Sequence, residues 1–229
     1  MVTLNQELTA FLKSKGASLV GFADLGELDA DSRDGFPFGI SIAVALNPQI
    51  ISEITEGPTR RYLEEYRGAN VILNSIGQSL EQFLAGRGYR AKHLPATTHG
   101  HLENLATKLP HKTVATRAGM GWIGKCALLI TREFGSAVRL TNVLTDAPFS
   151  CGNPINASFC GNCAECVRIC SSPSGKNWRV GAARESFFDA FACQRNAREL
   201  AFKTLGEKVT LCGRCIAICP WTRKYLGIT

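Results

Sequence analysis

The sequence predicts an α/β (α+β) domain over residues 1–150, followed by a small cysteine-rich domain over residues 151–229. Two observations carry this prediction. Helix-period segments and short apolar runs alternate in the first two thirds of the chain, as expected where helices cover a sheet. Eight of the ten cysteines lie after residue 159. Because 45% of the 229 residues are hydrophobic, the chain can also bury a proper core.

Two segments predict helices. Residues 5–15 carry apolar side chains at helical spacing, and Gly16 ends the pattern. Residues 60–86 predict the longest helix, which ends at Gly86. Its apolar positions recur every four residues: Ile72, Ile76, Leu80 and Leu84.

Four apolar runs predict buried strands: residues 18–23, 39–46, 127–131 and 137–144. Residues 149–157 then predict a linker into the cysteine-rich domain. No Gly-rich nucleotide-binding loop follows any of these strands.

The cysteines of the last third predict two iron–sulfur clusters. The run over residues 160–170 has the C-x2-C-x2-C-x3-C spacing of bacterial ferredoxins, in which the fourth cysteine ligates the other cluster. A second run over residues 212–219 lacks one cysteine, which Cys193 supplies. The first [4Fe–4S] set is Cys160, Cys163, Cys166 and Cys219. The second set is Cys170, Cys193, Cys212 and Cys215.

Zinc and disulfides are the alternatives to iron–sulfur clusters. Zinc takes two C-x2-C pairs and does not need a third cysteine two residues further on. Disulfides need an oxidising compartment, and the N-terminus lacks the apolar core of a signal peptide. We therefore expect a cytoplasmic protein in an anaerobic or oxygen-guarded setting.

The charge and the hydropathy bound the partners. No apolar stretch approaches the ~18–20 residues of a membrane span, so no membrane association is expected. The formal charge of +7 is compatible with an acidic redox partner or with nucleic acid. No Lys/Arg block exceeds two residues, which favours an ordinary solvated surface and makes nucleic acid an unexpected partner.

All four histidines lie within residues 93–111, and three interpretations stay open for them. A metal site is one, since neutral imidazole is a common ligand. A proton relay beside a redox centre is another, and a polar loop with helix-end histidines is the third. The four are His93, His99, His101 and His111.

The segment R-A-G-M-G-W-I-G-K over residues 117–125 has three glycines within six residues. Glycines let the backbone approach a ligand closely or adopt positive φ. A tryptophan can cover a flat ligand, and Lys125 offers a charge-assisted donor. Glycine clusters also make plain turns, so the residues alone do not decide between a cofactor loop and a turn.

Together these motifs resemble the epoxyqueuosine reductase family, whose members are corrinoid-dependent iron–sulfur reductases related to the reductive dehalogenases. The resemblance rests on residues 117–125, on L-L-I-T-R-E-F-G-S at 128–136, on V-L-T-D-A-P at 143–148 and on the cysteine block that follows. It extends to G-A-S-L-V-G-F-A at 16–23 and so covers nearly the whole chain.

The resemblance implies a corrinoid-binding-type domain followed by a ferredoxin-like domain with two [4Fe–4S] clusters. Electrons would pass from the clusters to cobalt, which reduces the substrate. The residues implied to line the cobalamin are Arg117, Gly119, Gly121, Trp122, Gly124 and Lys125.

Three departures from the family argue against the transfer-RNA reaction and favour a shorter branch of the family. Residues 97–111 lack the Asp-Ser/Thr-x-Pro stretch whose Asp is thought to give the proton. No long helical tail follows Cys219 in the sequence. Position 126, often His or Asn in the family, is a cysteine.

Cys126 and Cys151 remain after the eight ligands are assigned. A buried, inert thiol is the default for each. Cys126 has the better claim to a function, since it follows Lys125 in the Gly-rich loop, and it joins His111 as a candidate catalytic residue.

Three functions follow, in order of preference. The first is a corrinoid-dependent reductase of a small substrate, fed by a low-potential ferredoxin or flavodoxin. The second is an electron-transfer protein that reactivates a partner's corrinoid without a substrate of its own. Reduction of epoxyqueuosine in transfer RNA is the third. A homodimer is compatible with the sequence but not indicated by it.

Overall fold

A computed structural model describes residues 3–97, 104–170 and 176–228. The chain divides into two compact units that interleave along the sequence. The first unit takes Met1–Ala45, Gly68–Met120 and Arg139–Ile155, and the second takes Leu46–Arg67, Gly121–Val138 and Asn156–Thr229. The predicted domains 1–150 and 151–229 stay a prediction.

The described helices and strands are as follows. The helices are α1 (Leu4–Ser14), α2 (Pro48–Ser52), α3 (Arg60–Ala85), α4 (His111–Arg117), α5 (Glu165–Ile169), α6 (Ala190–Leu205), α7 (Arg214–Ala217) and α8 (Pro220–Tyr225). The strands are β1 (Leu19–Asp24), β2 (Phe38–Ala45), β3 (Ala91–Leu94), β4 (Trp122–Ile123), β5 (Leu129–Ile130) and β6 (Val138–Thr145).

The first unit is built on a four-stranded sheet in the order β1-β2-β6-β3, in which β1 pairs with β2 and β3 with β6 antiparallel. Helix α1 begins at a capping box, where Thr3 and Gln6 satisfy each other's backbone amides. Helix α4 packs against β1. The residues that follow α4 leave no room for a side chain at Gly21, where a Cβ would lie 2.6 Å from the Met120 side chain. The mixed α/β character predicted from the sequence is confirmed here.

The predicted helices and strands are confirmed within a few residues, except that the run at 127–131 forms only the two-residue strand β5. Helix α3 also differs in the face that it buries. Leu73, Ile76, Leu80 and Leu84 are at most 2% exposed, whereas Ile72 is 44% exposed. The buried stripe thus runs at i, i+3, i+7 and i+11, which follows 3.6 residues per turn more closely than the strict four-residue spacing expected.

The second unit combines the hairpin β4–β5 with the short helices of the cysteine-rich region. Strand β4 pairs antiparallel with β5, with Trp122 opposite Ile130. A small apolar cluster of Ile123, Ala127, Trp178 and Phe187 anchors the hairpin to the segment before α6. None of the helices in the described part of the chain combines the length and the apolar character that a bilayer crossing requires.

The burial along α3 gives a stability prediction. Leu80→Ala should lower the free energy of unfolding by about 2–5 kcal/mol, because it removes a fully buried side chain and leaves a cavity. Ile72→Ala, on the same helix but exposed, should change it by less than about 0.5 kcal/mol. Urea unfolding under argon, followed by far-ultraviolet circular dichroism, measures both. Equal losses in the two variants would contradict the burial pattern.

Candidate metal centre

Five cysteines of the second unit line one cavity of about 80 Å³, together with Ile130, Pro220 and Trp221. They come from three parts of the sequence: Cys126, Cys160, Cys163, Cys166 and Cys219. Four of them are the predicted ligands of the first cluster, and Cys219 lies more than fifty residues from the other three. The fold therefore brings together the set that the ferredoxin spacing assigns to one cluster.

Local structure explains how these cysteines converge. Cys160 and Cys163 flank a tight turn in which the Cys163 amide donates to the Cys160 carbonyl at 3.0 Å. Cys166 follows within α5, one turn on. Cys219 sits at the N-cap of α8, where Pro220 at the first helical position ends α7 and redirects the chain.

The burial and the neighbours of Cys219 agree with this grouping. Burial raises the pKa of the Cys219 thiol, and negative charge on the neighbouring Cys160 and Cys166 raises it further. A cluster bound here would reverse this balance, because iron binds the thiolate form of cysteine.

Two of the other predicted ligands, Cys170 and Cys212, lie near Cys193 at the start of α6. Burial raises the pKa of Cys193 to about 11, and the neighbouring Cys170 and Cys212 add to the rise. Cys193 lies in the first turn of α6, which Asp189 caps through the Ala192 amide. Cys212 and Cys215 flank Gly213, whose φ of 81° starts α7. Cys193 thus lies beside two of the three cysteines with which the sequence groups it.

The chemistry of this donor set fits iron–sulfur clusters. All the donors are thiols, which bind soft iron–sulfur centres once deprotonated. In the described part of the chain, no three His, Cys, Asp or Glu side chains converge closely enough to hold a single metal ion. The cavity of about 80 Å³ instead has four of the predicted ligands at its wall: Cys160, Cys163, Cys166 and Cys219.

The Gly-rich segment forms the hairpin β4–β5, and its side chains contact the protein. Trp122 is fully buried, and its ring centroid lies 5.0 Å from that of Trp221 and 5.2 Å from that of Phe159. Lys125 donates from Nζ to the carbonyls of Gly161 and Cys163, at 2.9 and 2.8 Å. The lysine thus holds the cysteine loop rather than offering a free donor.

The three glycines of this segment are also explained by close packing. A Cβ at Gly121 would lie 2.1 Å from the Ile130 carbonyl oxygen, and one at Gly124 would lie 2.4 Å from the Ile130 side chain. Gly119 adopts φ of 73°, and a Cβ there would lie 2.6 Å from the Asn153 carbonyl oxygen. In the first unit, Arg117 is buried and pairs with Glu27 at 2.7 Å.

The side chains of Arg117, Trp122 and Lys125 are buried against protein atoms. In these positions they do not fit the lining of a binding site for a flat macrocycle. Of the six positions implied by the resemblance, Gly119 alone is exposed. Their assignment to a corrinoid stays a prediction.

Two of the four histidines lie in the first unit, while His99 and His101 lie outside the described residues. His93 Nε2 contacts Thr141 Oγ1 at 2.9 Å, and Thr141 donates to the Leu94 carbonyl. The histidine must then donate to the threonine. Burial lowers the pKa of His93.

His111 has both ring nitrogens bonded. Nε2–H donates to the Pro95 carbonyl at 2.9 Å, which leaves Nδ1 to accept from the Asn142 amide at 2.9 Å. Burial lowers the pKa of His111 to about 4. The neutral ring borders a cavity of about 300 Å³ that Lys92, Lys108 and Leu144 also line. Its catalytic role stays a prediction, and its observed bonds hold β3 and β6 beside α4.

Solved structures share the fold of this chain. Over 95% of its length, the chain matches a catabolic reductive dehalogenase solved with 3-bromo-4-hydroxybenzoic acid, with a TM-score of 0.70 and 18% identity over 32% of that chain. Over 96% of its length it matches an epoxyqueuosine reductase solved with a transfer-RNA stem loop, with a TM-score of 0.65 and 22% identity over 65% of that chain. Another solved dehalogenase of this fold is described as B12-dependent.

Sequence similarity points to the epoxyqueuosine reductases. The Listeria monocytogenes enzyme is 32% identical over 148 residues, which are 64% of this chain and 36% of that relative. The Escherichia coli enzyme is 32% identical over 171 residues, 68% of this chain and 44% of that relative. No protein-family model matches. The resemblance predicted from the motifs is confirmed, although the matches span less than half the length of these relatives.

One prediction about partners is wrong. Nucleic acid was unexpected on the basis of the dispersed Lys and Arg residues, yet a matched epoxyqueuosine reductase binds a transfer-RNA stem loop. The length of the longest Lys/Arg run was a poor criterion for nucleic-acid binding. Phosphate contacts need cations that lie close together in the folded protein, and these need not be consecutive in the sequence.

The burial of His111 predicts how stability depends on pH. The ring binds fewer protons in the folded than in the unfolded state between about pH 4 and 6.5, so stability falls as the pH falls through that window. From pH 7 to pH 5 this group alone should cost about 2 kcal/mol. His111→Gln, which keeps a donor and an acceptor, should remove about that much of the slope. Urea unfolding at several pH values measures it, and an unchanged slope would contradict a neutral His111.

Proposed function

We propose that this chain is an iron–sulfur oxidoreductase of the epoxyqueuosine reductase type. Its ferredoxin-like region would carry two [4Fe–4S] clusters and deliver electrons to an acceptor and onward to an oxidised substrate. The cavity that gathers Cys160, Cys163, Cys166 and distant Cys219 is the observation that carries the proposal. The grouping of Cys193 with Cys170 and Cys212 supports the second cluster.

The protein's own residues would prepare the clusters for electron transfer. Trp122 is fully buried and contacts the rings of Trp221 and Phe159, so its side chain excludes water from one side of the first cysteine set. Exclusion of water and hydrogen bonds near the sulfurs tune cluster potentials. Lys125 adds a positive charge bonded to the cysteine loop, which favours the reduced and more negative cluster.

A corrinoid is the acceptor to test first, because a solved dehalogenase of the same fold is described as B12-dependent. When bound, it would supply the reducing cobalt centre, and the protein would supply orientation and electrostatics. Titration of the anaerobic protein with cobalamin, followed by its visible spectrum, tests this. If cluster-loaded protein does not bind cobalamin, the corrinoid is excluded as the acceptor. The chain would then be an electron-transfer protein without a substrate of its own.

Transfer RNA is the substrate class that we propose, since the relatives are epoxyqueuosine reductases and one binds a transfer-RNA stem loop. One face of α6 offers the required chemistry. Phe191 and Phe202 are 44% and 56% exposed, and the exposed Arg195 and Arg198 lie between them at i+4 and i+7. The Lys208 ammonium lies 5.9 Å from the Phe202 ring centroid. Arginines bind phosphates, and exposed aromatic rings stack on unpaired bases.

A small organic acid is the second candidate substrate, favoured by the cavity in the first unit. Its volume of about 300 Å³ suits a molecule of one ring, and Lys92 and Lys108 carry positive charge at its lining. Both lysines are paired, however, with Asp34 at 2.6 and 3.2 Å, which weakens the attraction for an anion. We therefore place this candidate after transfer RNA.

The cluster assignment predicts the metal content of two matched variants. Anaerobically reconstituted protein should contain about eight irons and eight sulfides per chain, since two cubes are bound. Cys193→Ala should lose one cluster and keep the other. Cys151→Ala should keep both, because Cys151 lies in the first unit, outside both cysteine sets, where its thiol donates to the Phe149 carbonyl. Iron and sulfide analysis with electron paramagnetic resonance measures this. Zinc, or full iron in Cys193→Ala, would refute the assignment.

The α6 face predicts the salt dependence of RNA binding. For an epoxyqueuosine-modified stem loop, Arg195→Glu/Arg198→Glu should weaken binding and reduce the slope of log K against log salt by about two, one for each lost phosphate contact. Glu199→Lys, on the same helix, should tighten binding instead. Fluorescence anisotropy measures the affinity, and mass spectrometry of the nucleoside measures epoxide reduction. Identical affinities in all three proteins would exclude this face, and an unreduced epoxide with loaded clusters and cobalamin would exclude the substrate.

A further inference from the structure

The cavity of the first cysteine set has one more thiol than a cluster needs. A [4Fe–4S] cube takes four cysteine ligands. Cys126 lines the same space as Cys160, Cys163, Cys166 and Cys219. Its backbone belongs to another part of the chain, the turn of the hairpin β4–β5.

That turn is tightly built. The Gly124 amide donates to the Leu128 carbonyl at 2.9 Å, and the Ala127 amide donates to the Gly124 carbonyl at 2.8 Å. Ala127 adopts φ of 59°, in the left-handed region that a residue with a Cβ rarely adopts. The surrounding structure holds this conformation, since Ala127 is buried in the apolar cluster with Trp178 and Phe187. Cys126 therefore has a defined position.

Lys125 anchors the same turn to the predicted ligands. Its ammonium donates to the carbonyls of Gly161 and Cys163, within the loop that carries Cys160 and Cys163. Because the lysine is only 8% exposed, both hydrogen bonds are shielded from water. The residue directly before Cys126 is thus fastened to the cluster loop.

Cys126 neighbours two of the predicted ligands, Cys166 of the first set and Cys215 of the second. Of these two, Cys166 lines the same cavity as Cys126. A thiol that shares this cavity with a ligand sulfur lies near the iron atom that the ligand would hold.

We propose that Cys126 is a reserve ligand of the first cluster, able to replace Cys166 on its iron; this rests on the proposed function, since it presumes the clusters. In the exchange, Cys126 loses its proton to solvent and forms the iron–sulfur bond. Cys166 leaves as a thiolate and takes up a proton. No electron is gained or lost, so the exchange needs no oxidant or reductant.

Four proteins test the exchange: the parent, Cys166→Ala, Cys126→Ala and Cys126→Ala/Cys166→Ala. After anaerobic reconstitution, either single variant should retain about eight irons per chain, as in the parent, whereas the double variant should lose one cluster. Iron and sulfide analysis and electron paramagnetic resonance of the oxidised and reduced proteins provide the readout. Cys160→Ala is the matched control. It should lose the cluster even with Cys126 present, because Cys126 neighbours Cys166 and not Cys160.

The outcomes separate this inference from the proposed function. If Cys166→Ala holds four irons, like the double variant, or seven irons with a three-iron signal in the oxidised state, Cys126 is not a reserve ligand. A parent protein without two clusters would instead refute the proposed function. Cys166→Ser guards against misfolding. Its serine is nearly isosteric, and with Cys126 as the ligand its reduced signal should match the parent's.

Discussion

Convergence of thiols from distant parts of the chain is the constraint on which the second unit depends. Cys219 must reach the loop of Cys160 and Cys163 from more than fifty residues away, and its own thiol becomes harder to ionise there. Burial raises the pKa of Cys219 and of Cys193, and neighbouring cysteines add to the effect. Iron binding would supply the free energy that ionises these thiols, so the proposed cluster assembly would be coupled to the ordering of this region.

The Gly-rich segment forms the hairpin β4–β5, and this hairpin holds the cysteine loop in place. Its glycines allow β4 to lie against Ile130, which permits Trp122 to be fully buried. Lys125 then extends to the cysteine loop, where two carbonyls neutralise little of its charge but hold its position. A segment that resembles a cofactor loop in sequence thus has a second explanation, which is to support the cysteine loop.

The sequence predicted the features that depend on neighbouring residues, such as helices, strands and closely spaced cysteines. It did not predict the features that depend on contacts between distant residues. Cysteine spacing predicted that Cys160, Cys163 and Cys166 would face one space, because ligand geometry dictates short spacings, and the three do line one cavity. Local patterns also predicted α1, which buries Leu8 and Leu12, and the buried strand β2. Strand β3 was missed because only half of its short sequence, A-K-H-L, is apolar, and its place in the sheet comes from pairing with β6. The burial of Trp122 and the bonds of Lys125 depend on Trp221 and Gly161, which no local pattern connects to them.

The charge pattern is where reasoning along the sequence misled most. Arg195 and Arg198 are separated by two residues and form no block, yet one turn of helix places them side by side between Phe191 and Phe202. In the folded protein, the two cations and two rings repeat at the spacing of a helix face, which no count of consecutive basic residues detects. Cys193, a ligand in the second set, lies within the first turn of the same helix, about 200° around its axis from Phe191. One helix therefore joins a predicted redox centre to the surface that we propose for RNA, with the two on opposite faces.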